Sequence, residues 1–247
     1  MHTNVYSNQV FISLMHRYVD ADGHVDYERW KQSGNDRRAL NRQVDLLARI
    51  SPENRPDLFP GAEAKRSYWI STYNTLVIQA ILKLWPLQSV RAFKMSMSSR
   101  LIPGKGFFYD HKVVVGGRKT NLFKLENSII RKQVRDPRIH FSLNCASISC
   151  PVARPSGWSE IDLEEAARDF INTPANVLVK NGKVHLSRLF KWYQKDFPAN
   201  LYRYLQGYAA APLHAQLQTA TEQHFGREYF KYDWDLNDAG DTGDQEY

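Results

Sequence analysis

The sequence predicts an α+β fold: a single helix-rich domain with a small, mostly antiparallel sheet. Three observations carry that reading. Apolar residues recur at helical spacing through several long segments; short β-branched runs bounded by Gly-Gly or Asn-Gly lie between them; and the two patterns do not alternate as a doubly wound sheet requires. The 247 residues suffice for one large core. Hydrophobic residues at 43% and aromatics at 13% argue against extensive disorder. The predicted domain runs over residues 1–237 with an N-terminal helical extension, and residues 238–247 read as a flexible acidic tail.

Val10, Phe11, Leu14, Met15 and Tyr18 mark a first helix, closed by a turn at Asp22-Gly23. Leu40, Val44, Leu47 and Ile50 mark a second, which stops before Ser51-Pro52. A strong helix spans Ser67 to Leu84 and ends at Trp85-Pro86, because proline lacks an amide donor and disfavours a helical predecessor. Its apolar face is wide enough to be buried against more than one neighbour, and Asn74 lies on it, so that amide needs an internal partner. Phe107 to Val115 reads as strand material interrupted at Asp110-His111, followed by a Gly116-Gly117 turn. A helix over Leu122–Val134 places Glu126 among Leu122, Leu125, Ile129 and Ile130, where an unpaired carboxylate is expensive.

Ile139 to Asn144 reads as a buried strand with Cys145 at its end. Ser159 and Asp162 form a capping box before a helix that turns Leu163, Ala166, Ala167 and Phe170 inward. Asn176–Val179 and Lys183–Leu186 flank Asn181-Gly182, a hairpin signal, and Ser187 caps the helix that follows. Further helices start near Leu201 and lie within Tyr208–Phe225, and Phe230 to Trp234 returns as an extended segment.

The net charge of +7 is dispersed, with its densest cluster at Arg131, Lys132, Arg135 and Arg138. Neither a continuous basic footprint nor a nucleic-acid reading element is evident, so nucleic acid is not an expected partner. No run reaches the roughly 18 apolar residues of a membrane-spanning helix, and no signal-peptide pattern opens the chain. The chain reads as soluble, either cytoplasmic or exported after loss of a signal.

Chemistry concentrates between Asp136 and Pro151, which hold both cysteines, His140 and Arg138. A thiol at a strand end can act as a nucleophile when a histidine or backbone donors stabilise its thiolate. Cys145 is then the nucleophile, His140 the base and Glu126 the carboxylate that orients it. Backbone amides from Cys145 to Ser147 offer an oxyanion site, Asn74 another donor, and Arg138 an anchor for a substrate carboxylate. The predicted activity is a cofactor-independent cysteine hydrolase or acyltransferase acting on an amide or peptide-like bond.

Alternatives stand beside it. Cys145 can be inert packing or pair with Cys150, Arg138 can brace the fold, and Glu126 can pair with an internal base. His140, Cys145 and Cys150, with Glu126 or His111, are zinc-ligand types without a paired-cysteine knuckle, and no metal is predicted. A recognition or scaffold domain built on an internal polar network is the competing function.

Several motifs in order resemble the DUF547 family, a group defined without a function. They are Ser67-Tyr68-Trp69-Ile70-Ser71-Thr72-Tyr73-Asn74-Thr75-Leu76, then Leu125-Glu126-Asn127-Ser128-Ile129-Ile130-Arg131, Asp136 to Pro151, Val184-His185-Leu186-Ser187-Arg188-Leu189-Phe190-Lys191-Trp192-Tyr193, and Tyr232-Asp233-Trp234-Asp235-Leu236-Asn237. The resemblance implies Asn74, Glu126, Arg138, His140, Cys145 and Cys150 as functional positions. It also implies an α+β domain related to papain-like cysteine enzymes by circular permutation, with Glu126, His140 and Cys145 as its triad. Cys145-Ala146-Ser147 departs from the Cys-Gly start of many members, and alanine enters positive-φ space less freely than glycine.

Overall fold

A computed structural model describes residues 5–94, 96, 98 and 104–240. Most of the predicted acidic tail, residues 241–247, lies outside them. The N-terminal frame consists of α1 (Gln9–Tyr18), α2 (Tyr27–Gln32) and α3 (Gly34–Arg49). Local chemistry starts α2 and α3: the Asp26 side chain accepts from Arg29 N, and Ser33 accepts from Asp36 N.

The central element is α4 (Gly61–Leu84), which stops where the Trp85-Pro86 pair predicts. Every residue from Tyr68 to Leu82 is buried, polar ones included. A helix buried on all sides has neighbours all round, which is the outcome its wide apolar face foretold. Several polar positions there find partners: Thr75 donates to Ser71 O at 2.6 Å, and Asn8 donates to Ser71 Oγ at 2.7 Å.

Strands are few. β1 (Lys112–Val115) and β2 (Arg118–Asn121) form a hairpin through Gly116 and Gly117, whose φ values of +56° and +80° need glycine. β3 (Val177–Lys180) and β4 (Lys183–Leu186) pair antiparallel through Asn181 and Gly182, both left-handed as the Asn-Gly signal requires. β5 (Gly226–Tyr229) adds parallel to β4. Among the described residues, the expected small, mostly antiparallel sheet is thus two separate sheets, of two and three strands, neither closed into a barrel. A papain-like or circularly permuted architecture has no counterpart in them.

Two predicted strands are helical instead. Gly106–Asp110 forms a π-helical turn, so only the second half of the Phe107–Val115 run is a strand. Pro137–Phe141 is a 3₁₀ turn, started by Asp136 accepting from Arg138 N at 2.9 Å. Proline at the first position suits that start because its missing N–H is not required there. Alternation along Ile139–Asn144 carried no strand signal, since all six residues are buried. The helix predicted over Leu122–Val134 is present with a distortion: α5 (Leu122–Lys124) widens into a π-helical stretch, Leu125–Ile130, and closes as α6 (Arg131–Val134).

The rest follows the sequence closely. α7 (Glu160–Asn172) carries the full capping box between Ser159 and Asp162, α8 (Arg188–Trp192) is capped by Ser187, and α9 (Leu201–Gln206) and α10 (Ala211–Glu222) pack on each other. The extended segment after Phe230 runs back beside residues 146–149: Ile148 N donates to Asp235 O at 2.9 Å and Asn237 N to Ala146 O at 3.3 Å. That strip and α4 hold the Asp136–Pro151 segment between them.

Candidate functional site

A cleft of about 380 Å³ opens where these elements meet. Both π-helical stretches supply its wall: Phe108 and Tyr109 come from the first, Glu126 and Asn127 from the second. Such insertions widen a helical turn and recur at functional sites. Tyr109 stacks on Phe123 at 4.1 Å. Trp192 from α8 and Tyr232 and Trp234 from the returning strip form the opposite wall, with ring centroids 4.5–5.7 Å apart.

Glu126 sits half-buried in this cleft, held by phenols. Tyr193 donates its hydroxyl to Glu126 Oε1, and Tyr73 also hydrogen-bonds that carboxylate. Burial and then the Glu126 charge push both phenols well above their ordinary pKa, so they remain neutral donors. The carboxylate therefore has the partners that its place among apolar residues demands.

His140 does not meet Glu126 in a triad. Its Nε2 lies 2.7 Å from Asp196 Oδ2, and because an ionised carboxylate only accepts, the proton sits on Nε2. The ring is buried and stacks on Tyr193 at 4.0 Å. Arg131 donates from Nε and Nη2 to the same Asp196 carboxylate at 2.6 and 2.9 Å, and from Nη1 to Asn127 at 2.6 Å. Burial alone would raise the Asp196 carboxyl, but the bonds from His140 and Arg131 outweigh it and hold the group well below the usual carboxylate range.

The thiol expectation is also overturned, because Cys145 and Cys150 are joined in a disulfide with Cα atoms 6.1 Å apart. A paired sulfur is no free nucleophile for acyl transfer, and the Glu-His-Cys system is absent. The cysteine hydrolase or acyltransferase activity, and the papain-like character with it, fall with that bond. Cys145 N donates to Cys150 Sγ at 2.8 Å, while Cys145 Sγ lies 3.0 Å from Ser147 Oγ and 3.3 Å from Tyr232 Oη.

Asn74 and Arg138 are occupied elsewhere. Asn74 clamps the segment backbone, donating Nδ2 to Ser142 O at 2.9 Å and accepting from Asn144 N at 3.0 Å. Arg138 faces Asp136 at 2.7 Å and Glu160 at 2.6 Å, with Glu164 at 3.5 Å. Glu126, His140, Cys145 and Cys150 do line one cleft, whereas Asn74, Arg138 and Ser147 stand behind or away from it.

Residues 59–171 match the model of a family described as a protein of unknown function, DUF547. This stretch is a DUF547 domain. No curated protein and no solved structure matches the chain. The DUF547 stretch supplies Tyr73, Glu126, Arg131, His140 and both cysteines, while Trp192, Tyr193, Asp196, Tyr232 and Trp234 come from the chain beyond it. Asp196 and the Tyr193 contact escaped sequence reasoning, since they arrive from a turn more than 50 residues after His140. The only sequence trace was Tyr193 closing the Lys191-Trp192-Tyr193 motif.

Proposed function

We propose that the cleft binds a small organic cation. The observation that carries this reading is an aromatic-walled cleft in which Glu126 is the single carboxylate among the described lining residues. Ring faces attract cations through their quadrupoles, and a carboxylate sheltered from water strengthens the attraction. Arg131 does not oppose it, since its charge is paired with Asp196. Arg91 already places a guanidinium over Trp234 at 5.3 Å, so that ring takes a cation within the fold itself. The volume suits a metabolite-sized ligand, as cleft sites of roughly 300–1,000 Å³ usually do.

Calorimetric titration with choline and its uncharged carbon isostere, 3,3-dimethylbutan-1-ol, tests the reading. The two differ in charge and hardly in shape. Choline is expected to bind at least about tenfold more tightly, a difference of about 1.4 kcal/mol. Glu126→Gln is expected to remove most of that preference. Equal affinity for both compounds, or a preference untouched in Glu126→Gln, overturns the proposal.

A further inference from the structure

We infer that the Cys145–Cys150 disulfide is an exchange centre for a small thiol bound in the cleft, and that Cys145 is the sulfur attacked. Both sulfurs line the cleft, but their surroundings differ. Cys145 is half-buried, whereas Cys150 is buried, at 8% exposure, and receives the backbone N–H of Cys145 at 2.8 Å. An attacked sulfur needs access and a departing one needs a donor to carry its charge. Donors face both sulfurs, so access decides: attack falls on Cys145 and departure on the buried Cys150.

In the first step an incoming thiolate forms a bond to Cys145 Sγ. The Cys145–Cys150 bond breaks, its electron pair leaves on Cys150, and Cys150 takes up a proton equivalent to the one the thiol lost. A second thiol molecule then attacks the ligand sulfur of the mixed disulfide and expels Cys145 as a thiolate. The hydroxyls of Ser147 and Tyr232, at 3.0 and 3.3 Å, are placed to donate to that thiolate. In sum, two thiols are oxidised to one disulfide and the protein disulfide gains two electrons and two protons; a low-molecular-weight disulfide runs the sequence backwards. Since Glu126 and the rings frame the same cleft, an aminothiol is the favoured reactant, a choice that rests on the cation-binding reading.

The test uses the full oxidised chain with cysteamine, 2-mercaptoethanol and 3-mercaptopropionate at matched thiolate concentrations, acid quenching, and peptide mass spectrometry. The expected product is a mixed disulfide at Cys145 with Cys150 free, formed fastest with cysteamine. Tyr232→Phe is expected to slow release of the mixed disulfide about threefold, the effect of one pKa unit on a departing thiolate. Formation of the Cys145 adduct at equal rates for all three thiols supports exchange and overturns the cation reading. Adducts at Cys150, or none while choline still binds, overturn exchange and leave the cation reading standing. Release unchanged in both Tyr232→Phe and Ser147→Ala overturns the assigned donors.

Discussion

Asn74 illustrates how a buried amide on a helix face holds the backbone beside it. Its amide satisfies one carbonyl and one N–H of the segment that carries His140 and the cysteines, and Asn74, Ser142 and Asn144 are all buried. Asn74→Ala orphans both groups, and each buried unsatisfied group costs about 1–3 kcal/mol. The variant is therefore expected to lose about 2–4 kcal/mol in urea unfolding, while Asn74→Asp, which keeps an acceptor for Asn144 N, still loses the donor to Ser142 O. At Ala146 sequence flagged the difficulty correctly. It stands at φ +63° and is fully buried, a conformation glycine would take without strain. Ala146→Gly gives back a buried methyl and gains backbone ease, so it is expected to change stability by less than about 1 kcal/mol. A β-branched Ala146→Val is expected to cost about 2–4 kcal/mol, from overpacking and strain together, in the same assay.

At the scale of elements, the turn after α8 decides the electrostatics of the site. Asp196 receives His140 and Arg131 together, and Asp136 is likewise held low: burial raises it, but Arg138 outweighs burial. Carboxyls with depressed folded pKa values contribute stability that is complete above their unfolded pKa near 3.9 and disappears as pH falls through the folded value. Thermal stability is expected to be level above about pH 5 and to decline below about pH 4. Asp196→Asn should lower the plateau and flatten the decline; a wild-type slope in that variant would show that Asp196 is not a source of it. Sequence made the elements themselves readable where a local rule sufficed: the Asn181-Gly182 hairpin, the Ser159 capping box and the α4 stop are all as expected. It misread Pro137–Phe141 because burial on every side erased the alternation that distinguishes strand from 3₁₀ turn. It also placed Glu126 in a helix, as found, but assigned it the wrong partner, since the contact with Tyr193 spans 67 residues.

For the whole molecule, the decisive contacts join segments far apart in the chain. Val25 N donates to Asn237 O at 2.9 Å, Ala239 N to Val25 O at 3.0 Å, and Tyr27 Oη to Asn237 Oδ1 at 2.9 Å. The returning strip is thereby tied to the N-terminal frame on one side and to the disulfide loop on the other, carrying Tyr232 and Trp234 into the cleft wall. The DUF547 stretch alone lacks this strip, α8 and the frame. Without them α4 loses neighbours around its fully buried half, Glu126 loses Tyr193, and His140 loses Asp196. A fragment of residues 59–171 is therefore expected to unfold without a cooperative transition, since large apolar faces would lack the burial that offsets chain entropy. Removing only residues 231–247 from the chain poses a milder demand: the helices keep one another, but one cleft wall is gone. That truncation is expected to retain helical circular dichroism, melt earlier and lose choline binding. Cooperative melting of the 59–171 fragment, or full binding by the truncated chain, would mean that the cleft does not depend on the chain beyond the DUF547 stretch.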